Sequence, residues 1–463
     1  MHSRSAGSEP GITIQFWLSA VLLLLAGLLG GGRGGFGDVL VQLTAIVLLG
    51  WLAWRHRALD WQGPVWVRWL PLLAVALPIF QLLPIPSGMW TWGPARSELA
   101  AQMAQAGTAH AHALSLDPAA TERALWSLLP ACALFLSCLS LSKGSQRQMC
   151  GLLVVLALLN FLLGLAQLAD GQQSTLRFYL PTNPNDAVGF FANRNHFASL
   201  LAMTLPPSLV ATAWLVSERL GGRQVNPLLP IAGVVVVILL IFGILLGRSR
   251  GGLLLGMIAV LGSLPIVMSL RRQRGTKRVL TAAIALGLML STQFALFGMF
   301  QRLQSDPLDD GRWRYARVTI HAAHAYAPLG SGLGTFRQAY QPFEALDNPG
   351  PAIVNHAHND YLELWLEGGW LALGLLAAAG VAWFKLSWSL WRNRSDSAAN
   401  GASSRLLART AWLAASLALL HSALDYPLRT TAAMTAFALL AAIAFSGMFS
   451  GGGQRADRTR ALA

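Results

Sequence analysis

Charged residues and cysteines are scarce in this chain of 463 residues. Charged side chains make up 12% of the sequence and hydrophobic ones 54%, whereas a soluble domain carries about 25% charged residues. This composition excludes an ordinary soluble domain and is typical of a protein that crosses a membrane several times. The three cysteines lie in or beside apolar runs. We therefore interpret them as small core residues rather than as a disulfide framework.

Long apolar runs recur along the chain at the length that a membrane-spanning helix needs, about 17 to 25 residues. They predict an all-α polytopic membrane protein with about twelve transmembrane helices, forming one integral membrane domain over residues 1–463. The first run lacks a convincing small-residue cleavage site and is expected to be a retained helix, not a signal peptide. The predicted spans lie near residues 12–29, 39–54, 69–84, 124–141, 149–169, 196–216, 228–246, 252–270, 279–298, 366–386, 408–424 and 431–449.

The formal charge of +14 is explained by the way the cations alternate between loops. Most Lys and Arg residues fall in loops on one side of the predicted membrane, and most Asp and Glu residues fall on the other. By the positive-inside rule, both termini are expected to be cytoplasmic. Since no basic face of a soluble fold is indicated, we expect membrane lipids as surroundings and no nucleic-acid partner.

The longest hydrophilic stretch, residues 299–365, is predicted to be a large outside loop between the ninth and tenth spans. Its segment "DDGRWRYARVTIHAAHAY" predicts an amphipathic helix. Asp309 and Asp310 could hold a divalent metal, but an acidic pair before glycine is more typical of a helix start. The expected apolar side of this helix carries Trp313, Ala316, Ile320 and Ala323, and the opposite side carries Arg312, Arg314 and Arg317.

Two short outside segments place arginines at the edge of apolar runs. Arg194, in "NRNH", could be part of an interfacial helix cap or could clamp a phosphate at a helix N-terminus. Arg248 and Arg250 lie in the short hairpin "GRSRGG", which has no acidic residue of its own. Charged side chains are costly next to the hydrocarbon core of a membrane, so arginines at this place without an acidic residue in their own loop suggest that they bind an anionic ligand.

The stretch "IVNHAHNDYLELWLEGGW", residues 353–370, holds the densest group of titratable side chains. His358 shares a helical stripe with Leu362, Leu366 and Gly369, so it is expected on the first turns of the tenth span. An imidazole has an unperturbed pKa of about 6.5 and is suited to act as a general base. We interpret Glu363 and Glu367 as a polar face near the membrane interface.

Four motifs, in this order, resemble the O-antigen ligase and O-antigen polymerase family: "ANRNHFASLLAMTLP", "GRSRGG", "GSGLGTF" and "HAHNDYLELWLEGGW". The later "HSALDYPLR" is also similar to this family, so the resemblance covers roughly residues 180–445. His358 and Asn359 are followed, as in the family's pattern, by Gly369, whereas Ala372 stands where a second glycine is common.

The resemblance implies a metal-independent glycosyltransferase without a cofactor, in the bacterial inner membrane and with a periplasmic active site. It would take a glycan from an undecaprenyl-pyrophosphate carrier and pass it to a sugar hydroxyl. The acceptor would be lipid A-core in a ligase or a lipid-linked repeat unit in a polymerase. Carried over by motif, His358 is the expected base, and Arg194 and Arg250 are expected to hold the pyrophosphate. Further substrate-binding candidates are Arg248, His356, Asn359, Asp360, Arg312 and Arg317.

Three alternatives remain open from the sequence. A transporter or flippase of lipid-linked sugars would also need many spans and phosphate-binding arginines, but transporters commonly place their sites at the membrane midplane within internal repeats. A protein O-oligosaccharyltransferase would differ only in its acceptor. A non-catalytic scaffold would explain the spans but not the outside arginines.

Overall fold

The computed structural model describes residues 10–32, 35–55, 63–107, 112–180, 183–270, 285, 311–344, 353–392 and 399–448. In this part of the chain the protein is predominantly helical, with one two-residue strand pair, β1 (Pro84–Ile85) and β2 (His112–Ala113), in antiparallel register. The helices are α1 (Pro10–Leu29), α2 (Phe36–Trp54), α3 (Val65–Leu82), α4 (Ser87–Trp90), α5 (Pro94–Gln105), α6 (Pro118–Ser140), α7 (Lys143–Asp170), α8 (Arg194–Leu220), α9 (Leu228–Leu246), α10 (Arg250–Met268), α11 (Gly311–Tyr326), α12 (Phe336–Tyr340), α13 (Asp360–Arg392), α14 (Ala399–Ser422) and α15 (Thr431–Gly447).

Eight of the described helices are long and apolar enough to cross a membrane: α2, α3, α6, α7, α8, α9, α10 and α13. Two shorter apolar segments, Thr13–Leu29 and Thr431–Gly447, add to them. The protein is therefore a helical, multi-pass membrane protein, as the apolar runs predict. The predicted ninth span, residues 279–298, lies outside the described residues, so the total of twelve stays a prediction.

The helices α8 and α15 form the centre of the bundle. Almost every residue of α15 is buried, and its sequence, "TAAMTAFALLAAIAFSG", is rich in alanine. Small side chains let helix backbones approach closely, which is the main source of packing energy between helices in lipid. At Gly447 the approach is so close that an added Cβ would lie 2.0 Å from the Cβ of Ala408 on α14. This centre holds fixed the loops at the end of the bundle where α8 and α15 begin.

A glycine-rich loop at that same end is pinned against the first turns of α13. In "GSGLG", Gly330, Gly332 and Gly334 all have positive φ angles, which favour glycine because it lacks a Cβ. The buried guanidinium of Arg96 on α5 donates to the carbonyl oxygen of Gly330 at 2.6 Å. The backbone N–H of Gly332 donates to the carbonyl oxygen of Glu367 at 2.8 Å. The loop thereby holds the second turn of α13 in place.

Gly369 interrupts α13 instead of seating it as a regular helix. Its φ of 59° and ψ of −148° lie outside the helical region, and its backbone packs directly against Pro328 and Gly330 of the loop. The helical stripe predicted from His358 through Gly369 is therefore interrupted at Gly369. A glycine is needed here because another backbone occupies the space of a side chain.

The amphipathic helix predicted after residue 309 is present as α11, but its buried face was predicted incorrectly. Trp313 is 69% exposed and Ile320 is 36% exposed. Of the four predicted residues, Ala323 is buried, and the other buried residues of the helix are Thr319, Ala322 and Tyr326. Alanines do not mark one face strongly, and tyrosine can be buried through its ring, so apolar spacing alone selected the wrong side. The face that is actually buried directs Arg312 and Tyr315 toward the bundle.

Candidate active site

His358 lies at the end of the bundle, just before α13, and not on the helix as predicted. The helix begins at Asp360 because the Asn359 side chain accepts hydrogen bonds from the backbone N–H groups of Tyr361 and Leu362, each at 3.0 Å. His358 itself has a φ of +51°, which is uncommon for a residue with a side chain and is associated with functional sites. The half-buried imidazole is thus held away from the helix axis.

The partner of His358 is Asp425, which is not among the residues predicted to form the site. The His358 Nδ1 atom lies 3.1 Å from the Asp425 Oδ1 atom, although the two residues are 67 positions apart. The Asp425 side chain is fully buried. The backbone N–H of Tyr426 donates to the same oxygen at 3.0 Å, and the side-chain amide of Asn195 donates to the other. Arg312 approaches that second oxygen at 3.9 Å.

These contacts keep Asp425 ionised. Burial by itself would raise the pKa of the Asp425 carboxyl, but the hydrogen bond from His358 and the electrostatic interactions with the imidazoles of His196 and His421 outweigh burial. The pKa of Asp425 is therefore held well below its usual range. A carboxylate can only accept hydrogen bonds, so Nδ1 of His358 donates and Nε2 carries the lone pair that can take a proton.

Two tyrosine rings fix the plane of the His358 imidazole. Tyr315 on α11 stacks on it, with ring centroids 5.8 Å apart and an interplanar angle of 26°. Tyr426 meets it edge to face at 5.0 Å. The Tyr426 ring in turn stacks on His356 at 4.1 Å. Ring orientation is therefore set from two directions, as a group that must receive a proton along a defined line requires.

The N-termini of α8 and α10 meet beside Asp425. Asn195, the second residue of α8, donates to Asp425 and accepts a hydrogen bond from the Ser249 hydroxyl at 2.8 Å. Ser249 also caps α10 by accepting from the backbone N–H of Gly252 at 3.0 Å. Arg194 and Arg250 are the first residues of these two helices. Helix N-termini carry partial positive charge and favour bound anions.

The structure thus brings the segments of Arg194, Arg250 and His358 together through the side chains of Asn195, Ser249 and Asp425. The Arg194 guanidinium forms an ion pair with Asp186 at 2.6 Å and is 34% exposed. Arg248 and Arg250 are both exposed, and Arg248 has a φ of +45°. Among the described residues other than glycine, the backbone has a positive φ at Arg248 and at His358.

Glu363 and Glu367 are not a polar face near the interface, as we had interpreted them. Both are fully buried, in an ionic cluster with Arg429. The Arg429 Nη1 atom lies 2.6 Å from Glu367 Oε2, and the Arg429 Nε atom lies 3.5 Å from Asp360 Oδ1. Glu363 binds the His356 Nδ1 atom at 2.8 Å. Burial alone lowers the pKa of Arg429, but the three carboxylates outweigh it and raise that pKa.

This cluster places His356 and Asp360, both expected to bind substrate, beneath the site. Asp360 is buried and accepts a hydrogen bond from the Ser422 hydroxyl at 2.7 Å. Their substrate-binding roles stay predictions. The contacts in the structure assign both residues to holding α13 against the loop that carries Asp425. Asn359 caps α13 and donates to the Ala423 carbonyl oxygen at 3.0 Å, so it also links these elements.

Of the two arginines of α11 predicted to bind substrate, Arg312 and Arg317, one contacts the residues around Asp425. Arg312 donates to the Leu424 carbonyl oxygen at 3.2 Å. Arg317 is exposed on another face of α11. Within the described part of the chain, His, Cys, Asp and Glu side chains form no group of three or more arranged to hold a metal ion.

A comparison with known families bears on this geometry. Residues 235–394 match a family model described as O-antigen ligase. That segment includes α10, α11, α12 and the whole of α13, and therefore Arg250, Arg312 and His358, whereas Arg194 and Asp425 lie outside it. No curated protein matches the chain. This similarity supports a glycan-transfer role in polysaccharide biosynthesis and an enzyme of the glycosyltransferase kind. Over these residues, the chain is similar to the O-antigen ligase family.

Proposed function

We propose that the protein transfers a glycan from an undecaprenyl-pyrophosphate carrier to a sugar hydroxyl at the periplasmic face of the bacterial inner membrane. The acceptor is lipid A-core or a lipid-linked repeat unit. The observation that carries this proposal is the His358–Asp425 pair, 3.1 Å apart, beside the N-termini of α8 and α10. The site joins a proton acceptor to a location that favours an anionic leaving group.

The reaction is a direct displacement at the anomeric carbon of the donor glycan. The acceptor oxygen forms the new glycosidic bond while the bond from that carbon to the pyrophosphate breaks. The hydroxyl proton moves to Nε2 of His358, and the electron pair of the broken bond leaves with undecaprenyl pyrophosphate. Asp425 stabilises the imidazolium that forms, as the buried acid of a catalytic triad does.

The leaving group carries its negative charge toward the helix N-termini. Arg194 and Arg250, the first residues of α8 and α10, are proposed to stabilise that charge together with the helix ends. Arg194 would exchange its ion pair with Asp186 for the pyrophosphate. Pyrophosphate is already an activated leaving group, so we propose that the transfer needs no metal ion and no cofactor.

The topology that we propose has about twelve spans, both termini in the cytoplasm and residues 299–365 as a large periplasmic loop. The transfer machinery occupies residues 180–445 within a single membrane domain. Support comes from the distribution of cations in the sequence and from the meeting of α8, α10 and α13 at one end of the bundle. The site lies at the ends of these helices, which favours a transferase over a transporter with a midplane site.

The proposal is tested with purified protein, a labelled undecaprenyl-pyrophosphate glycan and each acceptor in turn. His358→Ala and Arg250→Ala are expected to lose nearly all formation of the labelled glycosidic bond. Arg337→Ala, which removes an exposed arginine of α12, is the matched control and should retain wild-type transfer. Equal elution of all variants as folded protein shows that insertion is intact. Full transfer by folded His358→Ala protein would refute the assignment.

A further inference from the structure

A pocket of about 280 Å³ lies on a side of α11 that the proposed reaction does not use. Arg314, Arg317 and His321 line it at a spacing of three and four residues, so they share one stripe of the helix. Val318 and Phe343 complete the wall. The pocket therefore combines two guanidinium groups and an imidazole with one aromatic surface.

The positive charge of this pocket has no counter-ion in the described protein. In residues 311–344 and the other described segments, no carboxylate forms an ion pair with Arg314 or Arg317, and Glu344, directly after Phe343, pairs with neither. The Arg314 guanidinium lies over the Tyr315 ring, 5.6 Å from its centroid. Arginine offers a planar fork of donors that matches a carboxylate or a phosphate. An anionic ligand would supply the missing charge.

The remaining wall of the pocket suits a sugar ring. The Phe343 ring meets His321 edge to face at 5.3 Å and Tyr326 at 6.0 Å, so its position is held from two sides. Small-molecule sites typically combine an apolar or aromatic wall with a few placed polar groups that set orientation. Here the aromatic wall would contact the carbon face of a sugar, and the arginines would contact its charged substituent.

The helix α11 connects this pocket with the His358–Asp425 pair. Tyr315, which stacks on His358 at 5.8 Å, follows Arg314 directly. Arg317 lies two residues further on, about 3 Å along the helix axis. The N-termini of α8 and α10 contact the pair through Asn195 at Asp425, whereas Tyr315, next to the pocket residue Arg314, stacks on the His358 ring. This placement favours the acceptor glycan over the pyrophosphate donor.

We propose that the pocket formed by Arg314, Arg317, His321 and Phe343 binds an anionic sugar of the acceptor glycan, one that carries a carboxylate or a phosphate. This inference rests on the proposed glycan transfer and adds the substrate class to it. The pocket would make the enzyme selective for a charged acceptor without touching the reacting hydroxyl.

The test compares wild-type protein with the double variant Arg314→Gln/Arg317→Gln. Each is assayed with the native acceptor, with the acceptor after phosphatase treatment and with the acceptor after chemical reduction of its carboxylates. For wild type, kcat/KM should fall with whichever treatment removes the recognised group, which identifies a phosphate or a carboxylate. The discrimination is the ratio of kcat/KM for the native acceptor to kcat/KM for the treated acceptor. In the double variant this ratio should be about 10- to 100-fold smaller than in wild type, since charge-assisted hydrogen bonds contribute about 1.5 to 3 kcal/mol.

The matched control is Arg337→Gln, which removes an exposed arginine outside the pocket and should keep the discrimination of wild type. If the double variant and wild type discriminate equally, or if wild type uses charged and neutral acceptors alike, the inference is overturned while transfer itself stands. If wild type transfers to no acceptor, the proposed function fails. In that case, calorimetry of the isolated acceptor glycan with wild type and with the double variant tests separately whether the pocket binds the glycan. Weaker binding by the variant supports the pocket as a binding site, and equal binding overturns it.

Discussion

Replacing Gly369 by alanine is expected to destabilise the protein strongly. The φ of 59° and ψ of −148° at this position belong to a region that is essentially restricted to glycine, where another residue costs about 1 to 3 kcal/mol. An added Cβ would lie 2.1 Å from the Pro328 carbonyl oxygen and 2.6 Å from the Gly330 nitrogen. Both are backbone atoms, so relief requires a shift of the loop, at about another 1 to 3 kcal/mol for overpacking.

The expected loss in unfolding free energy is therefore about 2 to 6 kcal/mol. A shift of the loop would also stretch the hydrogen bond from the Trp370 N–H to the Pro328 carbonyl oxygen, 2.9 Å long. Thermal unfolding of detergent-purified protein, followed by tryptophan fluorescence, measures the change. Gly374→Ala is the control in the same helix, because a Cβ there meets nothing within 4 Å. If Gly369→Ala unfolds at the temperature of wild type and of this control, the reasoning from the close backbone contact is wrong.

Three further predictions concern the charged groups around the site. Asp425→Asn is expected to lower kcat for glycan transfer by about 100- to 10,000-fold with less effect on KM, because an amide can hold His358 in the wrong tautomer; a kcat near that of wild type in steady-state assays would contradict this. Since the folded pKa of Asp425 is depressed, its contribution to stability is present above the unfolded pKa of about 3.9 and is lost as pH falls through the folded pKa. Unfolding experiments should then show a constant difference between wild type and Asp425→Asn from about pH 7 to 5 and a smaller one below about pH 4, and a difference that grows on acidification would oppose it. Arg429→Met should destabilise the fold by about 3 to 5 kcal/mol because it leaves buried carboxylates without their cation. It should destabilise the fold more than Glu367→Gln, whose side-chain oxygen can still accept backbone hydrogen bonds. Chemical unfolding measures both variants, and the opposite order would show that the cluster is not a single ionic unit.

The sequence selects Arg194, Arg250 and His358 as candidate catalytic residues, but it does not reveal the side chains that contact them. Arg194, Arg250 and His358 stand out in sequence because polar residues are rare in so apolar a chain. Asp425 gives no comparable local signal, although the motif "HSALDYPLR" that contains it was recognised. Its role follows from a contact with His358 across 67 positions, and spacing along one helix carries no information about such a contact.

The burial of Glu363 and Glu367 also depends on residues distant in the chain, which the sequence around them does not reveal. A carboxylate at the start of a span is expected at the interface, because an unpaired charge is costly in the membrane. The cost is offset here by Arg429, which approaches both residues from another loop, and by the backbone N–H groups of Gly334 and Phe336 that bind Glu367. Neither partner can be inferred from the segment itself.

The sequence by itself determined that this is a helical membrane protein and which segments between its spans carry arginine and histidine. These properties follow from composition and periodicity, which act locally through the hydrophobic effect and the length of a span. Only the tertiary structure decided that His358 precedes α13, that Asp425 holds its tautomer and that Gly369 must admit another backbone. Each depends on atoms distant in the chain that meet in space, where hydrogen bonds and steric contact act over a few ångströms.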